Sequence, residues 1–151
     1  RNDGDISVIS AHKKLVRVGG IVGSVTNAAL NITDCHCGEV IISSEVTSDV
    51  TLATLQLSGI CGYQGTGSPT FKDCTSKAVL VHSGNVTSSK LYQVVSYYPA
   101  GGETTIDNCK ISGSVDGTVV TKDNFQDYIC PSGSNVKIQN CGSGTFTEMM
   151  P

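Results

Sequence analysis

Hydrophobic residues in this chain recur in short groups that are separated by polar turns. From Val50 to Leu57 apolar and polar residues alternate, which is the pattern of a half-buried β-strand. Other groups are short runs rich in β-branched residues, at 40–42, 78–81 and 119–120, and such runs favour strands over helices. We therefore expect an all-β chain with three or four short strands per repeating unit and almost no helix.

A repeating unit emerges when the chain is compared with itself. Residues 19–38 align without a gap with residues 58–77, and partial copies follow at 94–115 and 127–146. Each copy ends in the same signature: a hydrophobic residue, any residue, Asp or Asn, and then Cys. We treat residues 1–151 as a single domain with repeats at approximately 19–57, 58–93, 94–126 and 127–151.

Strand-rich units of this length predict a parallel β-solenoid (β-helix) of about four coils, in which each repeat is one coil. The alternative is a β-sandwich whose strands resemble one another by chance. The gapless match between the first two copies favours the solenoid. Segments 6–9 and 145–147 are both strand-like, so the two ends of the solenoid would present unpaired strand edges.

The signature predicts a corner in each coil. Its hydrophobic residue and its Cys are three positions apart, so in a straight strand their side chains would lie on opposite faces. Both can point inward if the chain turns at the Asp or Asn, since these residues tolerate left-handed backbone angles. The predicted corner residues are Asp34, Asp73, Asn108 and Asn140. The cysteines expected to stack behind them as an interior ladder are Cys35, Cys74, Cys109 and Cys141.

Stacked cysteines on neighbouring coils would lie within reach of a disulfide. Cys61 and Cys130 share a second position two coils apart, so they cannot pair with each other but could pair across their own coils. Cys37 remains as the odd thiol. We expect at least one disulfide, with free thiols as the alternative. The pairings left open are Cys35–Cys74, Cys109–Cys141, Cys61–Cys74 and Cys130–Cys141.

Composition and charge narrow the function. Only 15% of the 151 residues are charged, and the formal net charge of −3 with 10 Lys and Arg offers no electrostatic footprint for nucleic acid. No apolar run is long enough to predict a membrane span. Seven cysteines, together with glycosylation sequons at Asn31 and Asn85, favour an extracellular location. Because the chain begins at Arg1, we expect a processed product.

The first copy resembles a known repeat. Gly19-Gly20-Ile21-Val22-Gly23, followed by Ile32-Thr33-Asp34-Cys35 and Gly38, is similar to the GLUG-type repeat of large surface and secreted proteins. The second copy matches nearly as well, and the last two keep only the second half of the motif. The resemblance implies a right-handed β-solenoid in an adhesin-like, cell-surface setting. It supplies no catalytic residues.

Three groups of residues are candidates for chemistry. The segment Asp34–Cys37 is rich in metal-binding side chains, but no second Cys/His pair follows at a zinc-site spacing, so we expect a structural corner and no cofactor. The three histidines accompany no nucleophile motif, so we expect no enzymatic activity. Tyr97 and Tyr98 form an aromatic pair that could contact a ligand such as a glycan, with strand packing as the alternative.

Together these patterns predict an extracellular structural protein, a β-solenoid subunit of a fibre, sheath or cell-surface layer that assembles head to tail. Its expected partners are further copies of itself or other cell-surface components. The alternative is an adhesin-type module that binds glycan or protein. A carbohydrate-active enzyme is a minor third hypothesis.

Overall fold

The chain winds into a parallel β-solenoid of about four coils in the computed structural model, which describes residues 1–28 and 30–144. Coil one contains β1 (Ile6–Ser10), β2 (Leu15–Gly19), β3 (Asn31–Thr33) and β4 (His36–Cys37). Coil two contains β5 (Ile41–Val46), β6 (Thr51–Ser58), β7 (Thr70–Lys72) and β8 (Thr75–Ser76). Coil three contains β9 (Val79–Ser83), β10 (Asn85–Tyr92), β11 (Thr104–Asp107) and β12 (Lys110–Ile111). Coil four contains β13 (Ser114–Val115), β14 (Thr118–Val119), α1 (Phe125–Ile129), β15 (Val136–Gln139) and β16 (Gly142–Ser143). The predicted all-β solenoid is therefore confirmed, and the sandwich alternative is not.

Equivalent strands of successive coils pair in parallel and build four sheets. The sheets have the strand orders β1-β5-β9-β13-β14, β2-β6-β10, β3-β7-β11-β15 and β4-β8-β12-β16. The pairing is in register, so that Ile32 lies beside Phe71, Phe71 beside Ile106, and Ile106 beside Ile138. Each position of the coil therefore becomes a column that runs along the solenoid.

The corners lie where the signature places them. Asp34, Asp73, Asn108 and Asn140 have φ values of 55°, 55°, 50° and 56°, the left-handed region that Asp and Asn tolerate better than other side chains. The corner amides keep the coils joined, because Asp34 N–H donates to Lys72 O and Asn108 N–H donates to Gln139 O, both at 3.0 Å. On the outside, Asn108 Nδ2 donates to Asp73 Oδ1 at 2.8 Å.

The interior is filled by the columns that point inward. Phe71, Ile106, Ile42, Leu80 and Leu57 are fully buried, and they belong to three different sheets of one continuous core. Hydrophobic burial of this kind supplies most of the stabilisation of the fold. It depends on stacking, because a single coil could not bury its own inner face.

Two glycines make room for side chains in the core. A Cβ at Gly20 would lie 2.7 Å from Cys37 Sγ, and a Cβ at Gly59 would overlap Ser76 Oγ. In coil three, Gln93 takes the equivalent place and uses its side chain in the core. It accepts a hydrogen bond from Ser76 Oγ at 2.5 Å and donates to Ala78 O at 2.9 Å.

The structure departs from the predicted strand pattern in three places. The Gly-centred segments are bends with isolated bridges rather than strands, because Ile60 O accepts both the Ile21 and the Val22 N–H groups. In coil four, the corresponding position is the short helix α1, and β14 turns back antiparallel on β13. Residues 1–18, which precede the first sequence repeat, complete coil one. The expected strand at 145–147 lies outside the described residues.

The corner geometry gives a direct test at Asn108. Both Asn108→Gly and Asn108→Ala lose the contact with Asp73, but only Ala, which has a Cβ, is strained in the left-handed backbone conformation. We expect urea denaturation to give a free energy of unfolding about 1 kcal/mol lower for Asn108→Ala than for Asn108→Gly.

Thr105, inside the strand β11, is the matched control. At this extended position Gly should be the less stable of the two substitutions. Equal stabilities at Asn108, or the same order at both positions, would contradict the corner assignment.

Candidate functional site

The four signature cysteines stack in the interior and form what we call the sulfur column: Cys35, Cys74, Cys109 and Cys141. Backbone hydrogen bonds hold them at the same position on successive coils. Thr75 N–H donates to Cys35 O and Lys110 N–H donates to Cys74 O, both at 2.9 Å, and Gly142 N–H donates to Cys109 O at 3.1 Å. Cys74 and Cys109 are buried, whereas Cys35 and Cys141 at the two ends are partly exposed.

Each thiol of the column after the first donates to a carbonyl of the preceding coil. Cys74 Sγ lies 3.7 Å from Ile32 O, Cys109 Sγ lies 3.5 Å from Phe71 O, and Cys141 Sγ lies 3.5 Å from Ile106 O. These acceptors are the hydrophobic residues of the signature. The repeated contact explains why a small polarisable thiol fits this position in every coil.

The thiols of the column differ in acidity. Hydrogen bonding to Cys109 lowers the pKa of Cys141 to about 7, and it also lowers the pKa of Cys74. The backbone N–H of Cys109 donates to Cys141 Sγ at 3.4 Å, which further favours the thiolate. Cys109 itself provides the shared proton, so its pKa is raised.

The three other cysteines are buried and have raised pKa values, so their thiols are expected to be unreactive. Burial raises the pKa of Cys37 to about 11, that of Cys61 to about 11 and that of Cys130 to about 12. The places of Cys61 and Cys130 are equivalent, since Ile60 O and Ile129 O each accept two N–H groups of the neighbouring coil. Val95 lies between them in the column and bridges to Cys61.

All seven cysteines are free thiols in this structure. The expectation of at least one disulfide, and each of the four pairings left open, therefore finds no support in it. The Cys61 thiol donates to Tyr63 O at 3.5 Å. The stacked pairs have the register that a disulfide needs, but their thiols are hydrogen-bonded to carbonyls.

The Asp34–Cys37 segment divides between the surface and the core. Asp34 is exposed and accepts from His36 Nε2 at 3.0 Å, while His36 Nδ1 lies 2.7 Å from Thr75 Oγ1 on the next coil. Cys37 faces the core instead. Across residues 1–28 and 30–144, no three His, Cys, Asp or Glu side chains converge to hold a metal ion.

Tyr97 belongs to an aromatic stack that the sequence analysis did not predict. Its ring lies 4.7 Å from that of Tyr63 with an interplanar angle of 14°. Arg17 covers the Tyr63 ring with Cζ 3.3 Å from the centroid, and Lys90 Nζ lies 5.3 Å from the centroid of Tyr97. Both rings are therefore flanked by cations as well as by each other, which leaves their edges and hydroxyl groups for a ligand.

Tyr98 is separated from this stack. Its ring packs against the core, and its hydroxyl donates to Pro131 O at 2.8 Å. The Cys74-to-Cys109 spacing of 35 residues would align Tyr63 with Tyr98. The bridge between Cys61 and Val95 spans 34 residues instead, and this difference brings Tyr97 beside Tyr63.

Both sequon asparagines are exposed. Asn31 begins β3 and Asn85 begins β10. Their positions at the surface meet the steric requirement for a glycosyl acceptor.

The two ends of the solenoid differ. At the N-terminal end the outer edges of β1, β2 and β3 pair with no strand of the described chain, and Ile9 there is 70% exposed. Asn2 bridges the outer edge of β4 at Cys37. We call the edges of β1, β2 and β3 the N-terminal edge.

At the C-terminal end, one of the four sheets ends on a strand that turns back on it, since β14 pairs antiparallel with β13. The helix α1 contacts the chain just after β10, where Tyr128 O and Ile129 O accept from Gln93 N–H and Val94 N–H, but the outer edge of β10 pairs with no described strand. The outer edges of β15 and β16 pair with no described strand. Ile138 of β15 is 38% exposed, although its column neighbour Ile106 is fully buried.

Comparison with known proteins found no match among protein-family profiles, curated proteins or solved structures. The resemblance to the GLUG-type repeat therefore stays a prediction. In the described part of the chain, no helix has the length and apolar character needed to cross a membrane.

The difference in acidity predicts selective alkylation of the native protein. At pH 7 we expect iodoacetamide to modify Cys141 about ten times faster than Cys37, Cys61 or Cys130, since the thiolate is the nucleophile. The rate at Cys141 should rise with pH through about 7 and level off near pH 8. Quenching, unfolding, labelling of the remaining thiols with a heavy reagent and peptide mass analysis measure each rate.

Alkylation of Cys61 as fast as Cys141 would contradict the burial pattern. A rate at Cys141 that still climbs steeply above pH 8 would contradict its lowered pKa.

Proposed function

We propose that this protein is an extracellular structural subunit, a β-solenoid that stacks end to end in a fibre, sheath or cell-surface layer. The observation that carries the proposal is that both edges of the sheet β3-β7-β11-β15 lack a partner strand among residues 1–28 and 30–144. Unpaired parallel edges are templates for pairing with another chain. A contact between opposite ends of identical subunits repeats without closing, which gives a filament.

The joint between subunits would be built mainly from this sheet. The strand β15 of one subunit would pair with β3 of the next, since β14 and α1 occupy much of the rest of the C-terminal end. Ile138, which is partly exposed in the single chain, would then be covered by the next coil. Ile9 and Leu15 are 70% and 39% exposed at the N-terminal edge, and their apolar surface would be buried in the same contact.

An extracellular location is supported by the two sequons, because Asn31 and Asn85 are both exposed. The small net charge supports stacking as well: only 15% of the residues are charged and the formal net charge is −3, so the repulsion between two copies is small.

The adhesin-type alternative has less support. Sugars stack on the faces of aromatic rings, but the faces of Tyr63 and Tyr97 lie against each other and against Arg17 and Lys90. Tyr98 is held by Pro131. A glycan would have to bind at the ring edges or displace one of the cations.

Assembly is tested by the concentration dependence of particle mass. We expect light scattering and negative-stain microscopy of the purified protein to show filaments or end-to-end oligomers. Ile138→Lys or Ile9→Lys should raise the concentration needed for assembly about ten-fold or more, because a charge at a strand edge opposes pairing.

Ile41→Lys is the matched control, since Ile41 is 48% exposed on the side of coil two, away from both ends. It should leave assembly unchanged. A wild-type protein that stays monomeric at the highest attainable concentration, or an Ile41→Lys variant that loses assembly like the edge variants, would overturn the proposal.

A further inference from the structure

Cys109 and Cys141 are placed for sulfur chemistry with each other. They occupy the same position on neighbouring coils, joined by the hydrogen bond from Gly142 N–H to Cys109 O. Adjacent strands lie about 4.8 Å apart, and the Cα atoms of a disulfide lie about 4.4–6.8 Å apart. Cys109 N–H already contacts Cys141 Sγ at 3.4 Å.

Access to the sulfur column is limited to its ends. Cys74 and Cys109 are 1% and 0% exposed, so a reagent in solution cannot attack them directly. They can react only with a cysteine of the column that the reagent has already modified. Cys35 and Cys141 are both partly exposed, but they differ in ionisation. Burial raises the pKa of Cys35, whereas the contact with Cys109 lowers that of Cys141. The reactive entrance is therefore Cys141.

We propose that the sulfur column is a thiol–disulfide exchange site: a small disulfide reacts at Cys141, and the oxidation is passed inward to give a Cys109–Cys141 disulfide. This inference does not depend on assembly, since all of its groups lie within one chain.

The exchange balances without any other oxidant. The Cys141 thiolate attacks one sulfur of a small disulfide RSSR, forms a mixed disulfide with one R–S group and releases the other as thiolate. Cys109 then loses its proton and attacks Cys141 Sγ, which expels the second R–S group. Two protein thiols are oxidised to one disulfide, and RSSR is reduced to two thiols.

The proton of Cys109 goes to the R–S thiolate that the first step releases. Cys74 is the weaker acceptor, because hydrogen bonding to Cys109 lowers the pKa of Cys74. Formation of the mixed disulfide removes the negative charge at Cys141. The Cys109 thiolate then forms next to Cys141 Sγ, the sulfur that it attacks. Buried position and fixed register favour this attack over a second molecule of reagent.

The probe is oxidised glutathione, added to the fully reduced native protein and followed by intact mass. We expect a transient glutathione adduct, followed by a product lighter than the reduced protein by two hydrogen atoms. Peptide mapping should place the new disulfide at Cys109–Cys141. An adduct that persists without conversion, or a disulfide mapped to Cys61 or Cys130, would overturn the proposal.

Three variants separate the steps. Cys141→Ser should slow adduct formation at least ten-fold, and Cys109→Ser should accumulate the adduct at Cys141 without forming the internal disulfide. Cys109→Ala serves the same purpose if the buried hydroxyl prevents folding, with circular dichroism as the check. Cys130→Ser, a buried cysteine outside the sulfur column, is the matched control and should react like the wild type. Unchanged kinetics in Cys141→Ser would contradict its role as the entrance.

Discussion

The parallel, in-register hydrogen bonding between successive coils is the constraint on which the rest of the structure depends. It places Ile32, Phe71, Ile106 and Ile138 in one column and does the same for the other positions whose strands pair between coils. A short motif repeated along the sequence thereby becomes a line of like chemistry in space. The sulfur column and the aromatic stack are both products of this register.

Register alone would not close a coil, and the left-handed corners complete it. At Asp34, Asp73, Asn108 and Asn140 the chain turns so that the hydrophobic residue and the cysteine of the signature both face inward. The cost of the turn is borne by residue types that tolerate it. Behind each corner after the first, the thiol contacts a carbonyl of the preceding coil. The same motif therefore supplies the turn, the packing and the regularly stacked thiols of the described chain.

The parts of this architecture that depend on fixed spacing can be predicted from the sequence. The corner residues and the order of the sulfur column follow from the signature, since Asp or Asn and then Cys recur within it. The partner of Tyr97 does not, because one residue of difference in the turns between coils two and three decides whether Tyr97 or Tyr98 meets Tyr63. The helix α1 and the antiparallel pairing of β14 are also missed, because both lie outside the signature that the four copies share. Spacing cannot distinguish stacked thiols from a disulfide, since both need the same register.

The most direct test of the account is a nuclear Overhauser experiment on the isotopically labelled protein. A solenoid in this register predicts backbone contacts of the parallel type between Phe71 and both Ile32 and Ile106, and between Ile106 and Ile138. The short Cα-proton contacts typical of antiparallel neighbours should be absent from these pairs. Antiparallel contacts for Phe71 or Ile106, or contacts shifted by one residue, would contradict the register and everything that is derived from it.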